Sequence, residues 1–399
     1  MGTENKNCFS KEDILYMKLA IRLAEKGRGK TNPNPMVGTV IVKNGKIISS
    51  GYHLQAGLPH AEIEAVNNSK EPLDNSTMYV TLEPCTFRGK TPPCTREILK
   101  HNFREIVIGC IDPNPRVNGR GIKFLKNSGL KVRYGLLKDR IRKQNEVFFK
   151  QVKTGIPFVC CKIASSIDGK LATKTSDSRW ITSKKSRAGV QKIRREYGCV
   201  LTGINTVLKD DPYLLPGRNL NRLPEKINMP LNRVFYRVIL DSKLKIKLDS
   251  NIVKSADLAK TIIFTGRDKK QGSSKKIEKL QKYNIDVLKA SYDTVTKKGL
   301  DILEILKILY SRYRITSVLL ECGPSLATSF LKRGLTDKFI FYIAPKIIGS
   351  DTRYDMFKEL GIEKLNDCRK LRFENVKKSG NDIIITAYPL KLERMKRGN

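Results

Sequence analysis

Apolar positions along this chain fall into short unbroken runs, separated by segments in which they recur every three to four residues. Residues 37–42, 78–82 and 106–110 are runs of the first kind, the pattern of strands buried on both faces. Ile14, Met17, Ile21 and Ala24 are spaced along one face of a helix, and Ser10-Lys11-Glu12-Asp13 stands before them as an N-cap. A helix is predicted over 60–66 and another from Cys94. This alternation predicts an α/β layer with its site at strand ends and helix starts.

The charged segment 145–153 reads as helical, and Thr154-Gly155-Ile156-Pro157 breaks it. The break divides the chain into residues 1–153 and 154–399. Beyond it, apolar runs at 158–163, 200–201, 234–240, 261–264, 318–320 and 339–344 predict further β/α units. Residues 269–276, with Gly272-Ser273-Ser274, read as a polar surface loop, and the charged residues 390–399 as a mobile tail.

Chemistry enters with His60-Ala61-Glu62, followed by Pro84-Cys85 and Cys94. One imidazole and two thiolates are good zinc ligands, and three ligands leave the fourth position open, as catalytic zinc requires. Such a zinc lowers the pKa of its water towards about 7. Glu62 lies close enough to move that water's protons without being a ligand. His-x-Glu with a later Pro-Cys is the pattern of zinc deaminases, in which the Glu is the general acid/base. Eight residues separate Cys85 from Cys94 where that pattern has two, so a loop must fold back. The remaining cysteines are expected to stay out of the metal site, with Cys160, Cys161, Cys199 and Cys322 as core filler.

The wording around the site is more specific. Thr31-Asn32-Pro33-Asn34-Pro35-Met36-Val37-Gly38, Thr81-Leu82-Glu83-Pro84-Cys85, Gly89-Lys90-Thr91-Pro92-Pro93-Cys94 and Asp112-Pro113-Asn114-Pro115 occur in order. Together they resemble the deaminase half of the bifunctional riboflavin-biosynthesis deaminase–reductases. Lys162-Ile163-Ala164-Ser165-Ser166-Ile167-Asp168-Gly169, Trp180-Ile181-Thr182, Asp210-Asp211-Pro212 and Glu321-Cys322-Gly323-Pro324-Ser325-Leu326 resemble the reductase half.

The resemblance implies an α/β fold: a cytidine-deaminase-like α/β/α zinc domain, then a dihydrofolate-reductase-like α/β domain. It implies one zinc per chain on His60, Cys85 and Cys94, and NADPH as the reductant. The implied cofactor residues are Ser165, Trp180, Thr206, Asp210, Ser242, Gly323, Pro324, Ser325, Leu326, Ala327, Thr328 and Ser329. Ser178, Arg194, Leu214 and Glu321 are implied for a phosphorylated pyrimidine substrate, with Arg194 clamping a phosphate. This chain departs from the family at Asn32 and Met36, and after Asp-Asp-Pro, where Leu214-Leu215-Pro216-Gly217-Arg218 means that the family's substrate arginine is either displaced by one position, with Arg218 as a candidate, or lost. Lys162 and Asp168 either orient the ribose chain or are strand-end charges. Without the resemblance, the turn at Gly323 is an ordinary strand-to-helix turn, because no G-x-G-x-x-G follows a strand.

Charge changes the picture least. The formal net charge is +38, which invites a polynucleotide partner. Yet Lys and Arg are spread along both halves, and aromatic residues make up only 7%. Solvated surface lysine accounts for dispersed charge. A zinc deaminase acting on RNA would explain the charge but not the second set of motifs, and a purely structural zinc module would not need Glu62. No nucleic acid and no membrane are expected as partners. With nine Cys and no signal-peptide pattern, a reducing cytoplasmic setting is expected, along with a homo-oligomer of open order.

Overall fold

A computed structural model of the chain describes residues 8–88, 92–217, 234–267, 273–294 and 299–390. It divides into two compact units, Met1–Gly155 and Ile156–Asn399.

The first unit runs α1 (Lys11–Glu25), β1 (Gly38–Lys43), β2 (Lys46–Tyr52), α2 (Ala61–Asn67), β3 (Thr77–Leu82), α3 (Cys94–Ile98) and β4 (Glu105–Cys110). It closes with α4 (Arg120–Asn127), β5 (Val132–Tyr134), α5 (Lys138–Gln144) and α6 (Glu146–Thr154). The sheet order is β2-β1-β3-β4-β5. β1 is antiparallel to both of its neighbours, and β3, β4 and β5 are mutually parallel. Every residue of β3 and β4 is buried, as their unbroken apolar runs require. The predicted cap is present: Ser10 Oγ accepts the Asp13 N–H at 3.0 Å, and Asp13 answers from the Ser10 N–H at 2.9 Å. Asp13 does more than cap. Arg133 bridges it to Glu105 with contacts of 2.7 Å to each, and the Tyr79 hydroxyl donates to it at 2.8 Å. One buried network therefore ties α1 to β3, β4 and β5. The helix lies so close to the sheet that a Cβ on Gly38 would meet the Ala20 carbonyl at 2.1 Å.

The second unit runs β6 (Phe158–Ser166), α7 (Lys184–Glu196), β7 (Cys199–Gly203), α8 (Ile204–Asp210), β8 (Tyr236–Leu240), α9 (Asn251–Lys254), β9 (Lys260–Gly266) and α10 (Ser273–Lys282). It continues through β10 (Ile285–Ala290), α11 (Ile302–Tyr313), β11 (Ser317–Glu321), α12 (Pro324–Lys332), β12 (Lys338–Ala344), β13 (Leu371–Ser379) and β14 (Asp382–Pro389). Its sheet has the order β10-β9-β8-β7-β11-β6-β12-β14-β13. The strands from β10 to β12 in that order are parallel, and the β13–β14 hairpin closes the edge antiparallel. Val159, Cys161 and Ile163 of β6 share one core with Phe339 and Phe341 of β12 and Leu306 and Leu309 of α11.

One reading of the sequence changes. Residues 273–276, expected in a loop, open α10; Ile277 and Leu280 give it an apolar stripe too sparse to outweigh five charged residues in the pattern. The loop's start at 269–272 and the tail at 391–399 lie outside the described residues.

Candidate active sites

The first unit gathers the zinc-type ligands at one sheet end. His60 is the N-cap of α2 and makes no side-chain capping bond, which leaves its ring free to turn inward. Cys85 follows β3 directly, and Cys94 is the first residue of α3. His60 Nδ1 stands 3.2 Å from Cys94 Sγ and 3.7 Å from Cys85 Sγ. The Cys94 backbone N–H points at Cys85 Sγ across 3.4 Å. All three donor atoms lie within 4.8 Å of one another, and no other such group of His, Cys, Asp and Glu occurs among the described residues.

Zinc–nitrogen and zinc–sulfur bonds of about 2.0–2.3 Å place tetrahedral ligands about 3.5–3.8 Å apart. The spacing here fits that ion. Electrostatics agrees. The hydrogen bond from Cys94, helped by His60, lowers the Cys85 thiol, while the same bond and burial push Cys94 up. Metal ligation would require both sulfurs as thiolates. The hydrogen bond to Cys85 raises His60.

Glu62, one turn into α2, is only 3% exposed, and burial raises its pKa. It lines a cavity of about 240 Å³ together with His60, Cys85, Asn34, His53, Leu82, Phe87, Asp112, Asn114 and Phe148. A buried carboxyl beside three candidate zinc ligands, on the wall of this cavity, can move protons between water and a heterocycle.

Several cavity residues carry no role in the sequence reading. His53 is 2% exposed; its Nδ1 meets the Pro59 carbonyl at 3.0 Å and its Nε2 the Asn34 amide at 3.1 Å. Donation to Pro59 leaves Nε2 as acceptor, so the ring is held neutral, in keeping with the burial that lowers its pKa. Asp112, raised to about 7 by burial, forms another wall. The loop before β1 is pinned from outside. Asn145 exchanges two hydrogen bonds with the Met36 backbone, at 2.7 and 3.0 Å, and Gln151 donates to the Pro33 carbonyl at 2.7 Å. The departures at Asn32 and Met36 leave Pro33, Asn34 and Pro35 on the cavity wall.

In the second unit, Glu321 ends β11, with Lys162 of β6 beside it in register. Arg194 of α7 makes a two-pronged contact with Glu321, at 2.6 and 3.1 Å, and Lys162 Nζ lies 3.2 Å away. Burial opposes the charge on Glu321, but these two cations overcome it and hold the carboxyl down at about 2. Arg194 also donates to the Leu215 carbonyl at 3.1 Å. The protein itself thus holds the guanidinium in place beside Glu321. Asp168 accepts the Gly349 N–H at 2.8 Å and the Ile348 N–H at 3.2 Å, the structural one of its two expected roles.

Trp180 is 50% exposed, not core, and the Arg187 guanidinium covers its ring at 4.2 Å. Ser165 Oγ, at the end of β6, is buried and has no hydrogen-bond partner. Nothing would meet a Cβ on Gly323, which caps the nine-residue α12 with Pro324 as its first residue. An orphaned hydroxyl and open amides at a helix start, both at C-terminal strand ends, fit an anionic dinucleotide. Ser325 is exposed beside Gly323, with Pro324 and Leu326 half-buried. Ala327 belongs to the core, and the Thr328 hydroxyl accepts the Lys358 N–H at 2.7 Å. Ser329 donates to the Ser325 carbonyl. Thr206, Asp210, Ser178 and Ser242 are half-buried, and Leu214 is buried. Arg218 lies outside the described residues.

The family model described as the cytidine and deoxycytidylate deaminase zinc-binding region matches residues 10–110. The RibD C-terminal domain matches 157–385. A riboflavin biosynthesis protein RibD of Aquifex aeolicus is 40% identical over 94% of this chain and 97% of its own. Its Escherichia coli counterpart is 35% identical over 94% of this chain and 98% of its own. Among solved structures, Acinetobacter baumannii RibD superposes with a TM-score of 0.80 at 34% identity, over 96% of this chain and 99% of that one. A diaminohydroxyphosphoribosylaminopyrimidine deaminase/5-amino-6-(5-phosphoribosylamino)uracil reductase of Thermotoga maritima gives 0.77 at 34%, over 95% and 99%.

Proposed function

The chain belongs to the RibD family of riboflavin-biosynthesis proteins, and from that premise we propose how its residues divide the work. It is a bifunctional enzyme with a zinc-binding deaminase domain and an NADPH-using reductase domain; deamination of RNA is not favoured. The division we adopt is residues 1–153 for deamination and 154–399 for reduction.

The substrate of the first site is 2,5-diamino-6-(5-phosphoribosylamino)pyrimidin-4(3H)-one. His60, Cys85 and Cys94 would hold zinc, whose Lewis acidity makes water a nucleophile near neutral pH. Glu62 accepts a proton from the attacking water and delivers one to the ring nitrogen. It then protonates the departing 2-amino group, so water enters, ammonia leaves and a carbonyl remains. His53, locked as a neutral ring by Pro59 and Asn34, shapes the cavity without competing for that proton. The observation that carries this reading is the convergence of the three donors beside buried Glu62.

In the second unit, NADPH supplies the hydride that converts the ribosyl chain of 5-amino-6-(5-phosphoribosylamino)uracil into a ribityl chain. Ser165, Trp180, Thr206, Asp210, Ser242 and the turn Gly323 to Ser329 are assigned to the cofactor. Ser178, Arg194, Leu214, Arg218 and Glu321 are assigned to the substrate. Arg194 braces Glu321 and keeps it ionised. Localisation is taken as cytoplasmic: no disulfide forms among the described residues, and no described helix is long and apolar enough to cross a membrane. A homo-oligomer is supported by the exposed Phe373 and Val376 on the edge strand β13.

The test of the metal assignment is elemental analysis of Cys94→Ser. Zinc should fall from one per chain to a trace; full occupancy in this variant would remove Cys94 from the site.

A further inference from the structure

Glu83 directly follows β3, two residues before Cys85, and is 4% exposed. Four backbone N–H groups converge on its carboxylate. Oε2 accepts from Asp112 at 3.2 Å and Gly119 at 2.9 Å. Oε1 accepts from Gly121 at 2.8 Å and Ile122 at 3.2 Å. Asp112 and Gly119 belong to the connection between β4 and α4, and Gly121 and Ile122 to the first turn of α4 that follows it. That connection is the cavity wall: Asp112, Asn114 and Val117 line it.

The wall has little other support of its own. Asp112 accepts the Asn114 N–H at 2.7 Å, and the Asn114 carbonyl accepts the Val117 N–H at 2.8 Å. These bonds shape the turn but do not fasten it to the sheet. Glu83 does, because its own N–H is fixed to the Cys110 carbonyl at 2.9 Å. The approach is so close that a Cβ on Gly121 would meet the Pro84 carbonyl at 2.3 Å and Glu83 Cγ at 3.1 Å. Only glycine permits the amide to reach the carboxylate.

We propose that Glu83 is a positioning residue for deamination: it clamps the Asp112–Val117 wall so that the cavity grips the pyrimidine nucleotide. The inference rests on the reading that this cavity receives the deaminase substrate. Glu83 acts through the wall and not on the reacting atoms, which Glu62 serves from a different element. Losing the clamp weakens ground state and transition state alike, so the effect falls on KM and not on kcat.

Steady-state ammonia release decides the point. Glu83→Gln keeps the volume but turns an N–H towards two of the four donors. KM for the aminopyrimidine nucleotide should rise about tenfold or more, because hydrogen bonds to a charged acceptor are strong, with kcat within about threefold of wild type. Zinc content and NADPH oxidation of the deaminated nucleotide should be unchanged. Gly121→Ala, which presses a methyl group against the Pro84 carbonyl and Glu83 Oε1 and so pushes the wall away while leaving the carboxylate's chemistry unchanged, should reproduce the KM effect. Glu83→Asp should restore part of the lost affinity. In hydrogen exchange of the Gln variant, the amides of Asp112, Gly119, Gly121 and Ile122 should lose protection together.

An unchanged KM in both Glu83→Gln and Gly121→Ala at full zinc content would overturn the proposal. So would loss of zinc and of kcat in proportion in both, because that marks a role in folding alone. Glu62→Gln, assayed alongside, separates this from the reading beneath it. If that variant still releases ammonia, the cavity reading fails; if it is inactive while the Glu83 variants behave as wild type, only the clamp fails.

Discussion

Around His60, three donor atoms suited to a metal cation converge, whereas around Glu321 two cationic side chains of the chain itself stand against the carboxylate. The first site is organised by what it binds. The second is organised by its own side chains, with Arg194 and Lys162 fixing the charge of Glu321 before any ligand arrives. One chain therefore holds a site whose chemistry depends on an acquired ion and a site whose electrostatics is built in.

The largest expected consequence is a split response to chelation. Removing zinc with a strong chelator should abolish ammonia release and leave NADPH oxidation of the deaminated nucleotide intact. Parallel loss of both activities would erase the distinction.

A smaller effect sharpens the second half of the comparison. Glu321 has a folded pKa of about 2, because the pull of Arg194 and Lys162 outweighs burial. A depressed carboxyl stabilises the fold above its unfolded value and loses that contribution as pH falls towards the folded one. Between about pH 4.5 and pH 2, the second unit should therefore lose about 3 kcal/mol from this group. Urea unfolding of wild type and Glu321→Gln across that window measures it, and the variant should lack this part of the slope. Equal slopes would mean that the built-in cations do not hold the charge. The smallest effect concerns the cofactor. The reductase should favour NADPH over NADH by about tenfold or more in kcat/KM, a difference of about 1.4 kcal/mol. Equal efficiency would leave the basic residues of the second unit without a role in choosing the nucleotide.

How much was legible in the sequence follows the same division. β3, β4, β6 and β12 are buried on both faces, so their composition announces them. β13 has seven consecutive exposed residues and β2 begins with two, so neither carries a burial signal, and only the hydrogen-bonded register defines them. The metal ligands were readable because zinc restricts residue type and spacing. Glu83 and His53 were not, since a carboxylate that binds amides and a ring that binds a carbonyl leave no pattern along the chain. Arg237 is the extreme case. It lies in the apolar strand β8 and is fully buried, its guanidinium donating to the carbonyls of Tyr213, Ile252 and Ser255 and to Thr261 Oγ1 at 2.8–3.0 Å. Sequence pattern treats such a residue as exposed, because the cage that accepts its donors comes from distant segments.

The most direct test of two separate sites in one chain is a paired assay of Glu62→Gln. This substitution keeps the shape of the side chain and removes its proton transfer, and it should lower ammonia release from the aminopyrimidine nucleotide by about 10⁴-fold or more, since two proton transfers pass through Glu62. Given the already deaminated nucleotide, the same protein should oxidise NADPH at close to the wild-type rate. If the folded, zinc-loaded variant fails in both assays, the two activities share a site and the account is contradicted.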